Sequence, residues 1–189
     1  MSNMAGLYVI SGPSGVGKST IAHAILDKFK DTMTYSISMT TRPIRYGETE
    51  GREYIFTSIE EFEKLIEQNA FIEHAKVHDN YYGTLREQIE KALAKGINIL
   101  LDIDTRGARN IKNNYPDAVL IFIAPPSIEE LRQRLFKRHT DSGEVIEKRI
   151  HNAIKEIEMS SSYDHIVKNI DLDQAVGECE EIIENNMKK

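Results

Sequence analysis

Short apolar runs alternate along this chain with segments whose apolar residues recur at helical spacing. Leu7, Tyr8, Val9 and Ile10 form a run suited to a buried strand, and Ile21, Ala22, Ile25, Leu26 and Phe29 then mark one face of a helix. Residues 97–103 and 118–124 are almost wholly apolar, as parallel strands covered on both faces would be. Residues 34–38, 53–56 and 165–167 read as shorter strands, and residues 71–73 and 80–83 as parts of an irregular region. Helices are predicted over residues 59–68, 85–94, 128–138, 145–159 and 172–187. Ser58 with Glu61 makes a capping box for the first of these, Gly96 ends the second, and Ser127 after Pro125 and Pro126 caps the third. The alternation predicts an α/β fold, a mostly parallel sheet sandwiched by helices in a single main domain. Residues 38–82 break that rhythm and read as an insertion building a second binding surface.

Composition narrows the possibilities. With 189 residues, 40% of them hydrophobic, the chain can bury one good core. No apolar run approaches the roughly 20 residues of a membrane span, and the N-terminus lacks the pattern of a secretion signal, so no membrane contact and a cytoplasmic location are expected. Cys179 is the only cysteine, which excludes an intrachain disulfide. The net charge of −6 argues against a nucleic-acid partner. Small anionic ligands need only local clusters of Arg and Lys, and the chain has two.

The strongest chemical signal is Ser11-Gly12-Pro13-Ser14-Gly15-Val16-Gly17-Lys18-Ser19-Thr20, which contains G-x-x-x-x-G-K-[ST] between the first strand and the first helix. Glycines let the backbone turn tightly and aim N–H groups at phosphates, where the helix start adds partial positive charge. Lys18 would reach the β- and γ-phosphates of ATP, and the Ser19 hydroxyl would ligate Mg²⁺. Asp102 and Asp104 arrive near the C-terminal end of the apolar strand at 97–103, where α/β sites lie, and Asp102 has the position of an acceptor for Mg²⁺-bound water. Arg134 and Arg138, four apart on one predicted helix face, and Arg149 beyond the Thr140-Asp141-Ser142-Gly143 break form a basic cluster that a phosphate partner explains.

Beyond these, Ser36-Ile37-Ser38-Met39-Thr40-Thr41-Arg42-Pro43-Ile44-Arg45 continuing to Gly51, Tyr54 and Phe56 resembles the nucleotide-binding signature of the guanylate kinases. Phe71-Ile72-Glu73, Asn80-Tyr81-Tyr82-Gly83-Thr84, Leu101-Asp102-Ile103-Asp104 and Ala124-Pro125-Pro126-Ser127 match as well, in the right order and over nearly the whole chain. The resemblance implies a P-loop three-layer sandwich that transfers the γ-phosphoryl group of Mg²⁺-ATP to GMP, and to dGMP, with ATP-binding core segments at 1–37, 97–135 and 150–189. It further implies a GMP-binding insertion at 38–88 and a lid at 136–149. Guanine offers N1–H and its 2-amino group side by side, a donor pair suited to one carboxylate, and Glu73 is the candidate. Ser38 and Thr84 offer hydroxyls to guanine O6, and Asp102 or Asp104 an acceptor to the amino edge. Arg42, Arg45, Tyr54 and Tyr82 would clamp the GMP phosphate, planar guanidinium forks being suited to the task. Lys18, Arg45, Arg138 and Arg149 would stabilise the transferring group, with Arg134 supporting the lid and Asn169 against adenine.

The chain departs from the family pattern at Met39, Arg106, His139 and Ile170. Competing readings are a ribose bisphosphate kinase on the same scaffold, which would not need Glu73, Ser38 and Thr84 together, and a non-catalytic interaction module. Such a module usually lacks the intact phosphate loop present here. Monomer and homo-oligomer are equally compatible with the pattern.

Overall fold

The computed structural model describes residues 5–77, 79–137 and 143–188. Along the chain run β1 (Leu7–Ser11), α1 (Lys18–Lys28), β2 (Met33–Tyr35), β3 (Met39–Thr40), β4 (Ile55–Phe56), α2 (Ile59–Glu67), β5 (Phe71–Val77), β6 (Asn80–Leu85) and α3 (Arg86–Ala94). There follow β7 (Asn98–Asp102), α4 (Thr105–Asn114), β8 (Val119–Ala124), α5 (Ile128–Phe136), α6 (Gly143–Glu158), a 3-10 turn (Met159–Ser162), β9 (His165–Lys168) and α7 (Leu172–Met187).

The core sheet has the order β2-β7-β1-β8-β9, every pairing parallel. Central β1 is buried along its whole length, which is why its sequence carries no polar alternation. On one face Tyr8 and Ile10 pack with Ile21 and Ile25 of α1 and with Ala175, Cys179 and Ile183 of α7. On the other, Leu7, Val9 and Leu101 pack with Ile89 of α3 and Ala108 and Ile111 of α4. Each fully buried Ile or Leu contributes roughly 1.5–3 kcal/mol, so this double-sided cover fixes where the strands end. The C-terminal ends of β1 and β7 open into a crevice.

A second sheet, order β4-β3-β6-β5, forms between Met39 and Leu85. Here the structure corrects the irregular region expected at 71–73 and 80–83: β5 and β6 are an antiparallel hairpin with Glu73 opposite Thr84 and a register shift after Phe71. Phe62 of α2 stacks on Phe71 and Tyr81, at ring distances of 4.3 and 5.2 Å, and so holds helix and hairpin together. Long-range aromatic contacts, invisible to a local period, stabilise these strands.

Two further expectations change. The strand expected at 34–38 ends at Tyr35, because the Gln88 side chain pairs with both the N–H and the C=O of Ile37, at 2.9 and 2.8 Å, in place of a neighbouring strand. The strand expected at 53–56 shortens to Ile55–Phe56. Helix α4 was not expected from its Gly- and Asn-containing sequence; the Asp104 carboxylate caps it by accepting the Gly107 N–H at 2.8 Å. Ser58 caps α2 as expected, accepting from the Glu61 N–H at 3.1 Å.

Candidate active site

The loop between β1 and α1 is packed so tightly that two of its glycines are obligatory. Gly12 has φ 141°, and a Cβ there would lie 2.3 Å from the Ile123 carbonyl oxygen. Gly17 has φ 103°, and its Cβ would lie 2.7 Å from Asn169 Nδ2. Both positions therefore exclude side chains sterically as well as conformationally. Val16 is buried beneath the loop, while Ser14, Ser19 and Thr20 are exposed on its rim. Lys18 Nζ donates to the carbonyls of Gly12 and Pro13, at 2.8 and 3.2 Å, and the Ser19 hydroxyl donates to Asp102 Oδ2 at 2.8 Å. These groups border a cavity of about 440 Å³.

Asn169 is buried, 4% exposed. Its Nδ2 donates to the Val16 backbone carbonyl at 2.7 Å, and its backbone carbonyl accepts from Arg134 Nη2 at 3.1 Å. Arg134 also donates to Glu130 at 3.3 Å. Together they brace the phosphate loop from behind. Arg149 lies on α6, half-buried, whereas Arg138, His139 and the residues Thr140, Asp141 and Ser142 lie outside the described residues.

A second cavity of about 380 Å³ adjoins the first, and Ser14, Ser38, Tyr54, Asp102, Ile103 and Asp104 line both. Glu73 lies in its wall, with Oε1 accepting the hydroxyl proton of fully buried Thr84 at 2.7 Å. Burial pushes the Glu73 carboxyl above the ordinary carboxylate range, against the Thr84 hydrogen bond, and the nearby charge of Asp104 pushes the same way. Asp104 is exposed, with one carboxylate oxygen occupied as the α4 cap.

Arg42 is 8% exposed and gripped by Glu48 in a fork: Nη2 donates to Oε1 at 2.8 Å and Nη1 to Oε2 at 3.0 Å. Its guanidinium also lies 5.4 Å from the Tyr54 ring centre and 5.6 Å from that of Phe56, and Tyr54 meets Tyr82 edge to face at 6.0 Å. The Arg45 N–H donates to Glu48 Oε2 at 2.8 Å, but the Arg45 side chain is exposed and lines neither cavity.

Two residues escaped the sequence reading. Glu48 organises the Arg42 and Arg45 turn, a role readable only from its closeness to both in sequence. Glu156 lines the phosphate cavity; burial pushes its carboxyl up, the Lys18 charge opposes that, and Asp104 adds to it. Its signal is the spacing of seven from Arg149, two turns along one helix face. Of the departures, Met39 is buried against Phe62 and Phe71, and Ile170 is 67% exposed.

Comparisons with known proteins bear on the same stretch of chain. The family model described as guanylate kinase matches residues 4–186. A curated guanylate kinase from Caldanaerobacter subterraneus subsp. tengcongensis is 50% identical over 177 residues, covering 94% of this chain and 85% of that protein. One from Fusobacterium nucleatum subsp. nucleatum is 45% identical over 186 residues, covering 98% of this chain and all of that one. The crystal structure of guanylate kinase from Anaplasma phagocytophilum aligns with a TM-score of 0.82 at 34% identity, over 100% of this chain and 89% of that chain.

Proposed function

The chain belongs to the guanylate kinase family and is an ATP:GMP phosphotransferase, and on that premise we propose how its residues divide the reaction. The observation that carries the division is the pair of adjoining cavities with a common wall at Asp102 and Asp104. ATP phosphates occupy the cavity at the phosphate loop and GMP the cavity at Glu73. A GMP phosphate oxygen then attacks the γ-phosphorus in line, the bond to the β-phosphate oxygen breaks, and ADP leaves. That oxygen is already anionic at neutral pH, so catalysis rests on alignment and charge neutralisation.

Lys18, released from the Gly12 and Pro13 carbonyls, takes up the β- and γ-phosphates, while Arg45, Arg138 and Arg149 close on the transferring group. The hydroxyl of Ser19 and the carboxylate of Asp102 are hard oxygen donors already 2.8 Å apart, and the donor set fits Mg²⁺. Ser19 and Asp102 would hold Mg²⁺ brought in with ATP, and its charge would help neutralise the phosphates there. Because Asn169 donates to the loop at Val16 and Arg134 holds the Asn169 backbone, their contribution to ATP binding runs through the loop's shape.

Glu73 accepts guanine N1–H and the 2-amino group. Thr84 donates its hydroxyl hydrogen bond to Glu73 and orients it, which leaves Ser38 as the hydroxyl for O6; Asp104, on the wall of the second cavity, takes the amino edge. Arg42, Arg45, Tyr54 and Tyr82 hold the GMP phosphate, and dGMP, which keeps base and phosphate, is accepted too. In this division residues 38–88 form the GMP-binding part, 136–149 the lid, and 1–37, 97–135 and 150–189 the core. The cytoplasm, where its nucleotide substrates are made and used, is the location this reading gives the reaction. No helix among the described residues is long and apolar enough to cross a membrane.

Coupled measurement of ADP formation with Mg²⁺-ATP and each of GMP, AMP, UMP and CMP, repeated with Glu73→Gln, tests the assignment. GMP-dependent turnover that collapses in the variant supports it. Undiminished GMP turnover in the variant removes Glu73 as the base reader.

A further inference from the structure

Gly107, in the first turn of α4, is buried against Glu73 and Asp104, two of the three carboxylates lining the base-reading cavity. Its N–H donates to Asp104 Oδ1 at 2.8 Å. A Cβ built at Gly107 would lie 3.2 Å from Glu73 Cδ, 3.2 Å from Glu73 Oε2 and 3.1 Å from Ile103 Cδ1. Gly107 is not among the positive-φ glycines, so the backbone there would accept alanine without strain. Glycine inside a helix is ordinarily disfavoured relative to alanine. What it supplies at this position is space.

Glu73 has little freedom to yield that space. Its Oε1 is tied to Thr84 at 2.7 Å, and its backbone is paired opposite Thr84 in the hairpin. A methyl group at 107 therefore pushes on Oε2, the oxygen that Thr84 leaves uncommitted, by a few tenths of an ångström. The same displacement turns Glu73 relative to Asp104, whose oxygen is pinned by the Gly107 N–H.

We propose that Gly107 is a positioning residue for base recognition: its missing side chain seats Glu73 Oε2 against α4, so that Glu73 and Asp104 present their carboxylates to one edge of guanine together. This rests on Glu73 and Asp104 reading the base. The test is Gly107→Ala, alone and combined with Glu73→Gln. The single variant raises KM for GMP about tenfold, consistent with the sensitivity of recognition to sub-ångström misplacement, with KM for ATP unchanged. Its Tm is equal to or above that of the parent, and its preference for GMP over AMP in kcat/KM falls. In the Glu73→Gln background the same substitution changes KM for GMP by less than about twofold, because the group it displaces no longer reads the base. An unchanged KM for GMP in Gly107→Ala overturns the proposal, as does a joint rise of both KM values with a lowered Tm. A full effect persisting in the Glu73→Gln background overturns it as well. If Glu73→Gln by itself leaves GMP selectivity intact, the base-reading assignment fails first and takes the proposal with it.

Discussion

Ser19 and Asp102, 83 residues apart in sequence, meet in a hydrogen bond of 2.8 Å. The start of α1 and the end of β7 are thereby joined at the position where the metal side of a nucleotide phosphate would rest. Two groups serving one function should be energetically coupled. Asp102→Asn and Ser19→Ala are each expected to lower kcat by roughly 10²-fold, within the range for removing one preorganised electrostatic partner, and to raise the Mg²⁺ concentration needed for half-maximal rate. The double variant should lose far less than the product of the two effects; a fully multiplicative loss in kcat would show the two groups acting independently.

Asn169 offers a choice between two roles. Since its amide is spent on the Val16 carbonyl, Asn169→Ala should leave that carbonyl unpaired, lower stability by about 1–3 kcal/mol and weaken binding of ATP and GTP by the same factor. Calorimetric titration of both nucleotides is the check. Loss confined to ATP would mean that the side chain reads adenine after all.

Glu48 and Arg42 form a charged fork in a loop otherwise rich in turns. Glu48→Gln should raise KM for GMP several-fold and destabilise the protein by about 1–3 kcal/mol, because a nearly buried guanidinium loses its counter-charge. The hydrogen bond from Arg42 holds the Glu48 carboxyl below its ordinary value. Its stabilising contribution is thus present above the unfolded-state value and lost as pH falls through the folded one. The Tm difference between parent and Glu48→Gln should shrink on acidification, as thermal melts at a series of pH values would record.

The opposite sign holds at Glu73. Burial raises its carboxyl, so the native state holds the proton more tightly than the unfolded chain does and the ionised group costs stability at neutral pH. Glu73→Gln, which keeps an oxygen for Thr84 to donate to, should melt above the parent near about pH 7. The gap should close as pH falls toward about pH 4, where the ordinary carboxyl also protonates. A variant that melts below the parent at neutral pH would contradict this account.

Gln88 stands in for a strand beside Ile37. Gln88→Ala should free the segment carrying Ser38, raising KM for GMP while leaving KM for ATP within about twofold, since the phosphate loop lies on a separate element. Equal effects on both substrates would place the damage in the core sheet.

How much of this was legible in the chain differs from residue to residue. Gly12, Gly17, Lys18 and Ser19 announced a phosphate loop because their spacing is dictated by local backbone geometry, and β1 and β8 because strands covered on both faces leave unbroken apolar runs. Ser58 and Ser127 marked helix starts through bonds spanning only three residues. The hairpin carrying Glu73 was not legible: its strands are stabilised by Phe62 stacking from α2, a contact the period of either strand does not encode. Helix α4 was hidden for a related reason, since its helix-disfavouring glycine makes room for the Glu73 carboxylate, a group 34 positions away.

The sequence alone therefore determined the parallel core and the phosphate loop, which follow from the apolar pattern and local sterics, while most of the charged residues of the site were picked out by the resemblance and Glu48 and Glu156 by the structure. Only the tertiary structure decided which of those residues are committed to one another. Thr84 serves Glu73, Asn169 serves the loop, Glu48 holds Arg42, and Asp102 takes the hydroxyl of Ser19 while Asp104 caps α4. The bonds of Glu73, Asn169 and Asp102 join groups on separate elements, whose partners are chosen by how those elements pack, whereas those of Glu48 and Asp104 lie within a local turn and a helix cap.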